Sequence, residues 1–374
     1  MRSLGSGRPK APPACAVHTE FLPPCFMHAP LTLFAAVLFA PAAGDQLALQ
    51  FKADQTVAQT WSITQKSEVS TASLTVMGND QDIGSDSVST RTAEFEVTDT
   101  VHEAADGGLS KFTRKFETID TASDTERNEE SEAVYVEEEG SPSPLLGQEV
   151  LFTYDGDSGE YDAEYAEGSE GEGDWLDGLR PSESYLGGLL PEEAPAEGDS
   201  WEVGPEFLAS LLEPLGEVDV EEDVDDDGGP DQPPGAVAIT VPSGDDHMDW
   251  SGLEGELKAT WVKTEEEDGK RIAVIELAVD ASGEFDLAEA LEEEASERGS
   301  EDTFQSAILQ RTFEGEVTIR WDLDAGLPMD LEGELTGTTR FFAEWTVSVQ
   351  IELELTLEHE SSDEIAFSAG FEVQ

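Results

Sequence analysis

The residues with the clearest chemical spacing are three aspartates at alternate positions, Asp223, Asp225 and Asp227, which are followed by Gly228. Carboxylates at this spacing can converge on one hard cation such as calcium, and the glycine allows the sharp turn that a calcium loop needs. Pro234 stands where such a loop has its bidentate glutamate, and the flanks are acidic and proline-rich. Two interpretations stay open: a dedicated calcium site, or loose association of divalent cations with an acidic linker.

Few patterns of catalytic residues occur in this sequence. Beyond residue 44 the histidines are His102, His247 and His359, and no H-E-x-x-H, G-x-S-x-G, P-loop or G-x-G-x-x-G motif occurs. Glycoside hydrolysis needs only two carboxylates about 5–10 Å apart. The chain contains 85 acidic residues, so the sequence singles out no pair. No catalytic residue and no cofactor other than calcium is predicted, and a non-enzymatic protein is favoured over an enzyme.

The charge of the chain excludes several classes of partner. Its 374 residues include 85 Asp+Glu against 19 Lys+Arg, which gives a net charge of -66. This charge repels nucleic acids and anionic membrane surfaces, so we expect neither as a partner. The seven Trp and 17 Phe residues lie mainly in patterned segments, which favours a folded protein with an acidic coat over a disordered chain.

The N-terminal region has the pattern of an export signal. An apolar run at 30–40 is too short to cross a bilayer as a helix, and small residues at 40–44 suit signal cleavage. The start codon could be Met1 or Met27. We therefore expect 1–44 to be a signal peptide and the protein to be an exported bacterial one, periplasmic or extracellular.

Period-two alternation of apolar residues is the main structural pattern, and it predicts β-strands. The clearest hairpin has strands at 313–323 and 329–335 around Asp324-Ala325-Gly326. The run 345–357 predicts one strand of about 40 Å. Further strands are predicted at 57–65, 93–101, 111–118, 133–137, 149–154, 253–261 and 273–279. A helix is predicted at 207–212 and a helix or charged loop at 287–297. Four tryptophans fall on the apolar phase of strands, where core packing is expected: Trp61, Trp261, Trp321 and Trp345.

These elements predict a mainly β protein, built as a large antiparallel curved sheet or open barrel with one or two short helices. Acidic stretches without apolar periodicity are expected to be disordered insertions. The predicted organisation is an N-terminal β-rich half at 45–215, with a mobile insertion at 155–174, an acidic Pro/Gly linker at 216–235 and a C-terminal β-rich half at 236–374. The two halves could form one domain or two similar ones.

A further segment carries a resemblance. Leu189-Leu190-Pro191 precedes Gly198-Asp199-Ser200-Trp201. The segment 145–154 and the hairpin between Gly315 and Gly326 belong to the same pattern. This resembles a family of uncharacterised exported bacterial β-proteins with an LP…GDSW segment, loosely similar to the open half-barrels of periplasmic lipoprotein carriers. The resemblance implies an exported location and a β-rich fold.

Together these patterns favour a non-enzymatic binding or structural protein with a concave apolar β surface for a lipid-like small molecule. That step rests on fold analogy. The alternatives are a carboxylate-dependent hydrolase of extracellular polysaccharide and a calcium-associating acidic surface protein.

Overall fold

Over the residues that it describes, the computed structural model is mainly β, with a single large antiparallel sheet and three short α-helices. The structure describes residues 47–374 without 83–85, 106–107, 130–131, 140–142, 157–159, 172, 177, 180, 192, 216–251, 298–301 and 349–351. The predicted linker and the signal-peptide region therefore lie outside the described residues. No helix among the described residues is long and apolar enough to cross a membrane.

The sheet has thirteen strands, of which eleven follow one path. The strands are β1 (Thr56–Val76), β2 (Asn79–Asp82), β3 (Ser87–Ala105), β4 (Gly108–Glu129), β5 (Glu132–Glu139), β6 (Glu149–Asp155), β7 (Glu160–Tyr165), β8 (Ser200–Glu202), β9 (Glu254–Glu267), β10 (Lys270–Asp286), β11 (Thr303–Asp322), β12 (Leu327–Ser348) and β13 (Glu352–Val373). Their order is β7-β6-β4-β3-β1-β13-β12-β11-β10-β9-β8, with β2 beside β1 and β5 beside β4. The path ends at β7 and β8, so the described sheet is open.

The pairing of β1 with β13 joins the N-terminal strands to the C-terminal ones. The register runs from Val57 opposite Val373 to Val76 opposite Leu355, with an irregularity between Val69 and Thr71. Buried apolar side chains from both parts of the chain belong to one continuous cluster.

Alternation along the strands gives the sheet an apolar face and a polar face. In β12, Leu331 and Leu335 are buried whereas Glu332 and Glu334 are exposed, because successive side chains of a strand point to opposite faces. The four predicted core tryptophans lie on the apolar face with exposed fractions of at most 2%, which confirms that prediction.

Two tight turns follow the predicted turn chemistry. Asp268 and Gly269 link β9 to β10, and both have positive φ, 52° and 82°, as a two-residue hairpin turn requires. At the β11–β12 turn, one carboxylate oxygen of Asp322 accepts hydrogen bonds from the backbone N–H groups of Asp324 and Ala325, at 2.9 and 2.8 Å. This local bonding fixes the turn that joins β11 to β12.

The helices are short and carry buried leucines. They are α1 (Ser182–Leu189), α2 (Glu206–Leu212) and α3 (Ala288–Glu297). The prediction at 207–212 is confirmed by α2, and α3 resolves the choice at 287–297 in favour of a helix. The helix α1 was not predicted, because Ser182–Leu189 contains two glycines and only a weak apolar stripe.

The predicted single strand at 345–357 is wrong. The chain reverses between β12 and β13, so that Ser348 lies opposite Glu352 and Trp345 lies opposite Leu355. Apolar alternation continues through the reversal without a glycine or proline to mark it. In the segment 155–174, predicted as an insertion, Glu160–Tyr165 form the edge strand β7.

Candidate ligand-binding face

The predicted calcium ligands Asp223, Asp225 and Asp227 lie outside the described residues. Within the part of the chain that the structure describes, no group of three or more His, Cys, Asp or Glu side chains is placed to hold a metal ion. Of the histidines, His102 is exposed beside Thr113 and His359 is half-buried. The remaining candidates for a site are the polar groups on the apolar face.

A buried ion pair lies on the apolar face between β3 and β4. Arg114 donates two hydrogen bonds to Asp99, from Nε at 2.8 Å and from Nη2 at 3.0 Å, and both side chains are 1% exposed. Gln59 donates to the same carboxylate at 2.7 Å. The guanidinium also lies 5.8 and 5.7 Å from the ring centres of Phe112 and Phe152. Because its polar atoms are engaged within the core, this group serves the packing of the sheet.

A second polar group crosses the apolar face at β1, β13, β12 and β11. The Asp363 carboxylate accepts hydrogen bonds from Ser67 Oγ at 2.5 Å and from Thr339 Oγ1 at 2.9 Å. Arg311 Nε donates to Thr339 Oγ1 at 3.2 Å, and its guanidinium lies 5.7 Å from the ring centre of Phe313. These hydrogen bonds satisfy a buried carboxylate on the apolar face.

Beside this polar group the apolar face becomes accessible to solvent. On β1 the face-lining residues Ile63 and Gln65 are half-buried, and on β3 Ala93 and Phe95 are half-buried while Arg91 is exposed. We call these five residues the open stretch. The neighbouring strand β13 keeps its matching residues, Ile365 and Phe367, buried at 6% and 3% exposure.

The register places the open stretch in three adjoining rows. Gln65 lies opposite Arg91, Ile63 lies opposite Ala93, and Trp61 lies opposite Phe95. Residues two apart on a strand share a face, and cross-strand partners lie side by side. The open stretch is therefore one contiguous surface, apolar at one end and polar at the other.

The polar face has a shallow depression of about 440 Å³ at β11, β12 and β13. Arg340 and Glu360 form an ion pair there at 2.9 Å, and Ile308 and Phe342 provide the apolar part of its lining. Its charged residues pair with one another in solvent, where such pairs contribute little.

Ion pairs on the polar face shift the pKa values of the residues that form them. A hydrogen bond from Lys263 lowers the pKa of the Glu265 carboxyl, against a smaller opposing effect of burial. For Arg320, burial lowers the pKa, but the hydrogen bond and charge of Glu267 together with Asp330 outweigh it, so the pKa is raised. Both groups keep their charge at neutral pH, and they cross-link β9, β11 and β12.

The LP…GDSW segment folds back on itself. Trp201 Nε1, in β8, donates to the carbonyl of Leu189 at 2.7 Å, which brings the two ends of the segment together. Asp199 closes the turn through its carboxylate, which accepts from the backbone N–H of Ala196 at 2.8 Å. Gly198 has φ +94° and donates to the Trp261 carbonyl at 2.7 Å. The segment therefore attaches α1 to the sheet.

Sequence reasoning missed the open stretch, although a signal for it was present. The predicted strand at 93–101 has Ala93 and Phe95 on its apolar phase, and continuing that phase upstream places Arg91 on the same face. An arginine on an apolar phase is unusual enough to mark a candidate site. Its exposure depends on the strands beside it, which one strand's sequence does not reveal.

No family model matches the chain, and no curated protein is significantly similar to it. Among solved structures, an outer membrane channel from Pseudomonas putida F1 aligns with 87% of this chain and 98% of its own, with 7% identity and a TM-score of 0.23. That similarity is too low to support an inference about fold or function.

Proposed function

We propose that the protein is an exported, non-enzymatic binding protein, and that the apolar face of its sheet binds a lipid-like small molecule at the open stretch. The observation that carries the proposal is the accessible apolar surface formed by Ile63, Ala93 and Phe95, beside a strand, β13, whose matching residues are buried. Covering such surface with an apolar ligand is favourable by about 25 cal/mol per Å² of area removed from water.

The position of the open stretch supports this proposal. It continues directly into the buried core through Trp61, which lies opposite Phe95 and is 2% exposed. An apolar chain lying on Ile63 and Ala93 would therefore extend the core rather than form an isolated contact. On the polar face the half-buried apolar side chains Ile308 and Phe342 lie instead beside the charged residues Arg340 and Glu360.

The hydrolase alternative lacks a specific observation in its favour. It calls for two carboxylates in a cleft beside exposed aromatic side chains. The two aspartates buried on the apolar face, Asp99 and Asp363, are each hydrogen-bonded within the core.

Binding of the neutral fluorescent probe N-phenyl-1-naphthylamine to the purified, delipidated protein tests the proposal. We expect saturable binding that 1-dodecanol displaces. Ile63→Glu should abolish it, because a charge would then occupy the apolar surface. Ile308→Glu is the matched control, since Ile308 is equally half-buried but lies on the polar face.

The proposal fails if the wild type shows no saturable binding, or if both variants lose binding to the same extent. Urea unfolding of each variant separates loss of binding from loss of the fold.

A further inference from the structure

We infer that the ligand carries an anionic headgroup and that Arg91 binds it. This inference rests on the proposed function and adds the chemical class of the ligand. It is argued from the pairing of the arginines, from the neighbours of Arg91 and from the distribution of charge between the two faces.

Arg91 differs from four other arginines of the sheet, each of which pairs with an acidic residue, and from Arg311, which donates a hydrogen bond to Thr339. Arg114 pairs with Asp99, Arg271 with Asp324, Arg320 with Glu267 and Arg340 with Glu360. Arg91 makes no ion pair with any residue that the structure describes, although the chain has 85 acidic residues and only 19 basic ones. An exposed guanidinium without a carboxylate partner can bind a carboxylate or phosphate through two parallel hydrogen bonds.

The neighbours of Arg91 are uncharged and suit an amphiphile. Across the strands it lies between Gln65 of β1 and Ser123 of β4, and along β3 it lies between Ser89 and Ala93. The Gln65 amide, which donates one hydrogen bond to Ser67 Oγ at 3.4 Å, has a second N–H, and this N–H and the Ser123 hydroxyl can donate to an anionic headgroup. Ala93 starts the apolar part of the open stretch. A headgroup at Arg91 therefore places the attached apolar chain on Ile63 and Phe95.

The net charge of -66 does not prevent such binding. Its repulsion is screened beyond about 8 Å at physiological ionic strength. Glu94 and Glu96 of β3 and Glu68 of β1 alternate with the face-lining residues of their strands and so lie on the polar face. Arg91 is thus separated by the thickness of the sheet from the acids nearest to it in sequence.

Calorimetric titration with laurate and with 1-dodecanol, at physiological salt, tests the inference. Both ligands have the same apolar chain, so a difference between them reports on the headgroup. We expect the wild type to bind laurate more tightly than dodecanol. Arg91→Gln should weaken laurate about tenfold, the loss typical of a hydrogen bond to a charged group, without weakening dodecanol. Arg340→Gln, which removes an exposed arginine from the polar face, should change neither affinity.

Each other outcome has a defined meaning. If the wild type and Arg91→Gln bind dodecanol and laurate equally well, the headgroup inference is overturned and the proposed function stands. If the wild type binds neither ligand, the proposed function itself fails. Arg91→Lys keeps the charge but not the two parallel hydrogen bonds, so its affinity for laurate should lie between those of the wild type and Arg91→Gln. Unchanged dodecanol binding by Arg91→Gln excludes unfolding as the cause of its loss. Dodecyl phosphate distinguishes a phosphate headgroup, which would then bind more tightly than laurate, from a carboxylate.

Discussion

At the scale of single residues, Arg114 and Asp99 form a buried ion pair with both side chains 1% exposed. A buried pair contributes little net stability, because the cost of removing both charges from water offsets their attraction. Removing one partner leaves the other charge buried and unpaired. Asp99 would keep only the hydrogen bond from Gln59 among those described above.

We therefore expect Arg114→Met to lower the free energy of unfolding by about 3–5 kcal/mol, measured by urea denaturation. Arg340→Met, which breaks the exposed pair with Glu360, should lower the free energy of unfolding by no more than about 1 kcal/mol. Equal effects of the two substitutions would contradict the role assigned to the buried pair.

Asp324 gives a pH-dependent prediction at the β11–β12 turn. Hydrogen bonds from Arg271 hold the pKa of the Asp324 carboxyl below its ordinary value of 3.8, despite an opposing effect of burial. A lowered folded-state pKa stabilises the fold above the ordinary value, and this contribution is lost as the pH falls through the folded value. The wild type should therefore have a higher melting temperature than Asp324→Asn at neutral pH, and this difference should shrink as the pH falls below the ordinary pKa of 3.8.

Arg271→Gln removes the two guanidinium hydrogen bonds to Asp324 and keeps the one from the backbone N–H. It provides the control, since its difference in melting temperature from the wild type should shrink over the same range of pH. A difference in melting temperature that grows as the pH falls would refute this explanation.

At the scale of the elements, a glycine and an aromatic ring pair across β12 and β13. Gly333 lies opposite Phe367, and a Cβ atom at Gly333 would come within 2.5 Å of the ring. Gly333→Ala should therefore destabilise the protein by about 1–3 kcal/mol, the usual cost of overpacking. Thermal or urea unfolding measures this effect.

Phe367→Leu in the Gly333→Ala background should recover part of the loss, because the ring that meets the new methyl group is then absent. Strict additivity of the two substitutions would show that the ring is not the cause. Thr336→Ala, at an exposed position of β12, should have almost no effect.

Much of the strand content could be predicted from the sequence, because one face of the sheet is buried and the other is solvated. Alternation at 313–323 and 253–261 reports this burial directly. The same alternation led to the wrong prediction of a single strand at 345–357. A strand pair whose apolar phase continues through the turn has the pattern of one long strand when no glycine or proline marks the reversal.

The candidate site was harder to predict for a related reason. The open stretch is defined by the register between β1 and β3 and by its lower burial than the matching residues of β13. Strand β13 is distant from both in sequence. Ser67 and Asp363, which meet on this face, are 296 positions apart. Secondary-structure propensity and periodicity are properties of one segment. They predict a strand next to Arg91 without revealing which residues of other strands lie beside it.

At the scale of the whole molecule, the net charge of -66 opposes the compact state through self-repulsion. The screening length falls from about 30 Å at 0.01 M salt to about 8 Å at physiological strength. The melting temperature should therefore rise over this range of sodium chloride. An unchanged melting temperature would show that the acidic coat does not limit stability.

Calcium chloride at matched ionic strength is the comparison for that experiment. Stabilisation beyond the ionic-strength effect would indicate divalent cation binding, which the sequence pattern at Asp223, Asp225 and Asp227 predicts in either a dedicated or a loose form.

The neighbouring position of β1 and β13 has a consequence for the order of folding. Strand β1 emerges early in synthesis, yet one of its edges has its partner only when the last strand has been made. Until then that edge presents unpaired backbone groups, a known template for aggregation. Pairings between such distant segments also form slowly. The slowest step in folding should thus be the insertion of β13, and during that interval the protein would depend most on chaperones.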